Sequence, residues 1–478
     1  VSLAPDVFIG LEIHIHLKTE SKMFCPCSAR YGDEPNTNIC PICLGYPGTL
    51  PLLNERAVEH GYLVARALGC HLLNRMAFAR KNYFYPDMPK NYQITQHNHP
   101  VGIDGTVEVD FGDAGIRKIR IHNVHLEEDA GKMVHANDAT LLDYNRAGYP
   151  LLEIVTKPDL RSGEEAELFL RDFQRLVRYL GVSDGNMDEG SMKCDANISV
   201  NLSGRGLGTK VELKNMNSPR FVRLALGYEM RRQSKLFDSG GRIIQETRLW
   251  NENRDITEAM RRKETEDDYR YFPEPDIPSF VANAEFLKRV GSQLVELPLA
   301  RKRRFQSEYG LKGEQAEFIH NDIAMADLFE DTVRLGATAR NVAAWLSSDV
   351  RKLLNRNRRA LADTPLSASR LSSLLALIDR GRISGKIAKN VLERVFSDDA
   401  DPESIVEREG WFQISDPIEL GRIVNQALSR NPNVVETISK GDSKQRGWLM
   451  GEIMRISNGR AAPKLAGKIL DERIGQRS

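Results

Sequence analysis

Carboxylates and imidazoles recur along one side of short alternating runs in this chain, and four cysteines follow the first run closely. In Phe8-Ile-Gly-Leu-Glu-Ile-His-Ile-His-Leu17 a period of two puts Ile9, Leu11, Ile13, Ile15 and Leu17 on one side and Glu12, His14 and His16 on the other. A carboxylate beside imidazoles suits a divalent metal ion, and the plainer alternative is a solvated polar face. Two later runs repeat the pattern. Cys194, Ala196, Ile198 and Val200 alternate with Lys193, Asp195, Asn197 and Ser199, while Val211 and Leu213 alternate with Lys210, Glu212 and Lys214. If these strands share one sheet, Glu12, His14, Asp195 and Glu212 meet on one concave wet surface; otherwise they are scattered surface acids. The stretch from Ile119 to Glu128 alternates only in part, with Asn123, His125 and Glu127 on one side, and it runs into Glu128-Asp129-Ala-Gly-Lys132.

The cysteines carry a sharper signal. Cys25-Pro-Cys27 and Cys40-Pro-Ile-Cys43 offer four thiolates from two tight turns, the donor set of a closed tetrahedral zinc site that shapes a loop and performs no chemistry. Local disulfides and unconnected buried thiols are the alternatives. A bridge between Cys25 and Cys27 would be strained, and six cysteines in a chain with no secretory pattern at its start fit a reducing, cytoplasmic setting.

Several elements must position these groups. Asn54 to Leu68, closed by Gly69, reads as a helix, and Ser162 with Glu165 begins a second whose stripe of Phe169, Phe173, Leu176, Val177 and Leu180 is core, with Gly181 as its stop. Gly204-Arg-Gly-Leu-Gly208 precedes a strand, so it reads as a hairpin loop and not as a dinucleotide fingerprint. The segment Arg80 to Gln96, dense in aromatics, prolines and cations, fits a packed loop or a surface for a nucleotide or RNA end. From about residue 292 the spacing is helical almost throughout. The fold class is therefore α+β. A length of 478 residues leaves room for several cores, and no apolar run is long enough for a membrane span. With a net charge of only +1, contact with nucleic acid must come from local clusters such as Arg301-Lys-Arg-Arg304 and Arg356-Asn-Arg-Arg359, unless these are merely solvated helix faces.

Long strings then give a resemblance that runs nearly end to end. Gly10-Leu-Glu-Ile-His14, Ser21-Lys-Met-Phe24, Tyr46-Pro-Gly48, Arg80-Lys-Asn-Tyr-Phe-Tyr-Pro-Asp87, Leu126-Glu-Glu-Asp-Ala-Gly-Lys132, Cys194-Asp-Ala-Asn-Ile198, Glu212-Leu-Lys-Asn215, Asp268-Tyr-Arg-Tyr-Phe-Pro-Glu-Pro-Asp276, Ser384-Gly-Lys-Ile-Ala-Lys389 and Gly451-Glu-Ile-Met454 resemble the GatB family of tRNA-dependent amidotransferase subunits. His16 departs from that family, which more often has glutamine or glutamate there.

The resemblance implies a ligase subunit that uses ATP to phosphorylate the side-chain carboxylate of misacylated Glu-tRNA(Gln) or Asp-tRNA(Asn), after which ammonia from a partner amidase displaces the phosphate. A non-catalytic tRNA-binding scaffold and a metal-dependent hydrolase using Glu12 and His14 are the competing readings. The implied fold is an antiparallel-sheet cradle domain over residues 1–291 with a zinc-binding loop, a helical domain over 292–400 and a small YqeY-like helical tail over 401–478 that binds tRNA. Magnesium positions carry over onto Glu12, His14, Glu127, Asp195 and Glu212, and zinc positions onto Cys25, Cys27, Cys40 and Cys43. Lys132, Lys210 and Lys214 are the expected counter-charges for ATP. The implied partners are the amidase and the small third component of a heterotrimeric amidotransferase, the misacylated tRNA and the cognate non-discriminating aminoacyl-tRNA synthetase.

Overall fold

Alternation in the acidic runs becomes one sheet. The structure, a computed structural model, describes residues 5–136, 138–262, 266–439 and 445–475. It divides into two compact units, Val1–Ala300 and Arg301–Ser478. The first is α+β and the second helical.

In the first unit a 12-stranded sheet contains β1 (Asp6–His16), β2 (Ala79–Asn82), β3 (Tyr92–Thr95), β4 (Ile116–Glu128), β5 (Pro150–Thr156), β6 (Met192–Asn201), β7 (Val211–Lys214), β8 (Glu246–Asn251) and β9 (Ile256–Arg262), in the order β9-β8-β7-β6-β1-β5-β4-β3-β2. Neighbours in this order are antiparallel except β7 and β8, whose parallel pairing requires a crossover; the helix Pro219–Asp238 supplies it. The segment from Arg80 to Gln96 is thus no plain loop: it begins in β2 and reaches β3, and Arg80 is held by Glu274 at 2.7 Å and Asp276 at 3.1 Å. The Gly204–Gly208 stretch lies in the loop joining β6 to β7.

One face of the sheet is dry. Ile9, Leu11, Ile13 and Ile15 of β1 join Cys194, Ala196 and Ile198 of β6 and Val211 and Leu213 of β7 in a single apolar cluster. Three helices contribute to it: Glu55–Ala67 through Val58 and Tyr62, Gly163–Tyr179 through Phe169 and Phe173, and Pro219–Asp238 through Val222 and Leu226. The first two start where their caps lie, with the Asn54 side chain accepting from the Ala57 N–H and Ser162 from that of Glu165. Because Ile13 has no exposure at all, Ile13→Ala should destabilise the unit by about 2–5 kcal/mol, read from denaturant unfolding.

The second unit holds two apolar cores, one from Phe305 to Val406 and one from Ile414 to Ile474. The short helix Pro402–Arg408, on the tail side of the break read from sequence at residue 400, buries Ile405 and Val406 in the first core. Its basic clusters are largely paired: Arg301 and Arg304 with Glu330, Lys302 with Glu317, and Arg356 with Glu393. Among the described residues no helix is long and apolar enough to cross a membrane.

Candidate metal centre and thiolate site

On the wet face, register decides which side chains become neighbours. Glu12 of β1 stands opposite Asp195 of β6 on one side and Val155 of β5 on the other; His14 stands opposite Lys193 and Glu153. Glu153 in turn faces His125 of β4, Leu151 faces Glu127, and Asn197 of β6 faces Glu212 of β7. A period of two along each strand and pairing across strands therefore build a grid, with Glu12 and Asp195 in one row and His14, Glu153 and His125 in the next.

The closest approaches centre on Glu153. Its Oε2 lies 2.6 Å from His125 Nε2 and 3.5 Å from His14 Nε2, while Glu127 Oε1 is 3.4 Å from the same His14 nitrogen. Two overlapping ligand sets result, Glu12, His14 and Glu153, and His125, Glu127 and Glu153, each with one donor atom per residue within 4.8 Å of the others. Oxygen-rich sets of this kind fit a hard divalent cation. Glu127 is further fixed by a 3.1 Å hydrogen bond from the Thr95 hydroxyl of β3.

Opposite charges pair within the cluster. Burial opposes the charge on His14, yet hydrogen bonds to Glu127 and Glu153 hold its pKa well above the ordinary 6.5; burial likewise opposes charge on His125, and the Glu153 carboxylate raises its pKa. Glu153 is partly buried, which opposes its charge, but the two imidazoles hold its pKa well below 4.5. Glu12 goes the other way. Burial and the neighbouring charge of Glu153 push its pKa up, with Asp195 adding to the effect. A cation here would relieve that repulsion.

Asp195 and Glu212 stand one and two strands away from Glu12, and a lysine engages both: Lys214 Nζ ion-pairs with Asp195 and lies 3.6 Å from Glu212 Oε1. Burial works against the Lys214 charge, and Asp195 and Glu212 raise its pKa nonetheless. Thr247 of β8 donates to Glu212 at 2.8 Å. The five expected acidic-site residues thus share one sheet face, in a half rich in carboxylate and imidazole and a half occupied by an ammonium. Lys210 is exposed just before β7. Lys132 is exposed on a separate two-stranded ribbon, Lys132–His135 with Thr140–Asp143, and makes none of the ion pairs of the acidic face among the described residues. His16 belongs elsewhere, with its Nε2 2.7 Å from Asp129 Oδ2 and its ring edge-on to Tyr149.

Sequence reasoning missed Glu153 and gave His125 no role. The available signal was a lone carboxylate inside the apolar run Pro150-Leu-Leu-Glu-Ile-Val155, which is costly to bury unless it is paired.

The four cysteines form the third ligand set. Cys25, Cys27, Cys40 and Cys43 are free thiols whose sulfurs all lie within 4.8 Å of one another, a range that includes the spacing of about 3.8 Å that tetrahedral Zn–S bonds of about 2.3 Å impose. A hydrogen bond from Cys25, with help from the Cys40 N–H and the Lys22 ammonium, lowers the Cys43 pKa to about 5, whereas burial pushes Cys27 up to about 11. The surroundings thus favour the thiolate at Cys43, and a soft dication would favour it at the other three.

Residues 7–288 match the family described as GatB/GatE catalytic domain, and residues 327–474 match the family described as GatB domain. The chain is similar to proteins named as the B subunit of aspartyl/glutamyl-tRNA(Asn/Gln) amidotransferase. It is 43% identical over 477 residues to the one from Carboxydothermus hydrogenoformans, covering 98% of this chain and 99% of that one. The one from Thermoanaerobacter pseudethanolicus is 45% identical over 473 residues, with the same coverage. The one from Thermosynechococcus vestitus is 44% identical over 485 residues, covering 99% of this chain and 97% of that one.

Proposed function

Because the chain belongs to the GatB family, we propose that it is the ATP-dependent carboxylate-activating component of a tRNA amidotransferase, acting on Glu-tRNA(Gln), Asp-tRNA(Asn) or both. A side-chain carboxylate is a poor electrophile, since its charge repels ammonia and oxide is no leaving group. Transfer of the γ-phosphoryl group gives an acyl phosphate and ADP. Ammonia then adds to the acyl carbon, phosphate leaves, and the product is Gln-tRNA(Gln) or Asn-tRNA(Asn). The single observation carrying this reading is the convergence of Glu12, His14, Glu127 and Glu153 donors on one sheet face.

Two anions must meet in that site, so charge neutralisation is the central requirement. Bound magnesium would supply it as a hard cation that offsets the negative charge of the phosphate and carboxylate groups. The residues Glu12, His14, Glu127 and Glu153 would hold the ion, with Asp195 and Glu212 extending the set. Lys214, Lys132 and Lys210 would supply counter-charges for the ATP phosphates. The cysteines would hold a structural zinc. As domains we propose a cradle over 1–291, a helical domain over 292–400 and a tRNA-gripping tail over 401–478. The proposed partners are an amidase, the small third component of the heterotrimer, misacylated tRNA and the synthetase that charges it, in the cytoplasm.

The decisive experiment supplies ammonium, magnesium and γ-labelled ATP with Glu-tRNA(Gln) and separately with Asp-tRNA(Asn). Label should pass to the aminoacyl group when ammonium is withheld and be released when it is added. Absence of ATP turnover would support a scaffold instead, and cleavage of substrate without ATP a hydrolase. Deletion of residues 414–478, which removes the second helical core, should weaken tRNA binding about tenfold or more at fixed salt, measured by filter binding, and leave magnesium binding unchanged.

A further inference from the structure

Lys22 has no exposed surface, although it carries a charge and lies three residues from Cys25. Its Nζ lies 3.7 Å from Cys43 Sγ and 3.1 Å from the Tyr144 carbonyl oxygen, and no carboxylate among the described residues pairs with it. A buried ammonium without a carboxylate is unfavourable unless another anion compensates it. The anion within reach is the sulfur cluster. Four thiolates around one zinc carry a net charge of two minus, which a neighbouring ammonium would offset.

The surroundings hold Lys22 against both partners. Gly148 has φ +85°, a backbone conformation that favours glycine, and a Cβ there would sit in ordinary van der Waals contact with Lys22 Cδ at 3.5 Å, Cys43 Cβ at 3.6 Å and Glu128 Oε2 at 3.8 Å, so Lys22 and Cys43 flank the same wall. The Met23 N–H donates to the Gly148 carbonyl at 2.8 Å. Between the two cysteine pairs, Asn36 N–H donates to Asp143, Asn38 N–H donates to Asn145, and Tyr144 N–H donates back to Asn36. The cysteine loop is thereby clamped onto residues 143–148, immediately before the strand that carries Glu153.

We propose that Lys22 is the buried counter-charge of the four-cysteine zinc site and ties that site, through the Tyr144 carbonyl, to the segment that leads into β5. This rests on the zinc reading above. Lys22 touches no reacting group, so it is a positioning residue. A lysine can be buried here because the cysteines, deprotonated around a metal, compensate its charge.

The test uses the full chain and zinc itself. Lys22→Met and Lys22→Gln should each lower zinc affinity about 10- to 100-fold in competition with a chromophoric chelator. Glutamine can keep the hydrogen bond to Tyr144, so its loss of zinc isolates the charge. In the zinc-loaded chain Lys22→Met should lower Tm, whereas in a Cys25→Ser, Cys27→Ser, Cys40→Ser, Cys43→Ser background the same change should raise Tm, because the ammonium there has no anion. Zinc affinity within twofold of the parent in either Lys22 variant overturns the proposal and leaves the zinc reading standing, as does a Tm change of the same sign in both backgrounds. A parent chain that takes up no zinc overturns both.

Discussion

Glu153→Gln is expected to slow ATP-dependent phosphoryl transfer to the aminoacyl carboxylate by about 10²- to 10³-fold while leaving tRNA affinity unchanged. The side chain sits between two imidazoles, 2.6 Å from His125 and 3.5 Å from His14, and it belongs to both oxygen-and-nitrogen ligand sets on the sheet. Glutamine preserves the volume and one acceptor oxygen but removes the negative charge. Three consequences follow together. A hard cation loses a ligand, both imidazoles lose the carboxylate that raises their pKa, and Glu12 loses the neighbour that raises its own. Single-turnover transfer of label from ATP, measured over a magnesium series, reads the first effect, and histidine titration by NMR reads the second. A variant that phosphorylates at the parental rate at every magnesium concentration would remove Glu153 from the site.

That residue also marks where the amino-acid sequence stops being informative. The fold class was legible because alternation and helical spacing are local: Ile9, Leu11, Ile13 and Ile15 announce the buried side of β1 without knowledge of any other strand. The helix starts at Asn54 and Ser162 were legible for the same reason, since a cap is a contact over three residues. Register is not local. Nothing within Pro150–Thr156 says that Glu153 faces His14 on one side and His125 on the other, because that depends on strands about 140 residues upstream and about 28 residues upstream in the chain. Lys132 shows the converse. It follows the acidic string Glu127-Glu128-Asp129 closely in sequence, but the chain leaves the sheet after Glu128 and Lys132 starts a separate ribbon. Likewise the sequence leaves the cluster Arg301–Arg304 open between a nucleic-acid contact and a solvated helix face, whereas Glu330 and Glu317, about 26 and 15 residues away, engage Arg301, Arg304 and Lys302.

Metal-free stability and metal affinity should respond to pH in opposite directions, and the two histidines set both signs. His14 and His125 have folded-state pKa values above the ordinary 6.5, so the folded chain holds these protons more tightly than the unfolded one. Their pairing with Glu153 therefore stabilises fully below about pH 6.5 and is lost as pH rises through the folded values. Glu153, depressed below 4.5, contributes in the other sense: its stabilisation is present above about pH 4.5 and is lost as pH falls through its folded value. In EDTA these three groups together favour the folded state most between about pH 4.5 and 6.5, and urea midpoints should fall above that window. A cation reverses the upper limb. To ligate, each imidazole must give up its proton, so apparent magnesium affinity should climb by about tenfold per pH unit for each proton released as pH passes from 6.5 upward, until the folded value is crossed. Isothermal titration in two buffers of different ionisation enthalpy counts those protons directly. Affinity that is flat across this range, with no proton release, would mean that the ion binds without His14, and the acidic face would then have to work through its carboxylates alone.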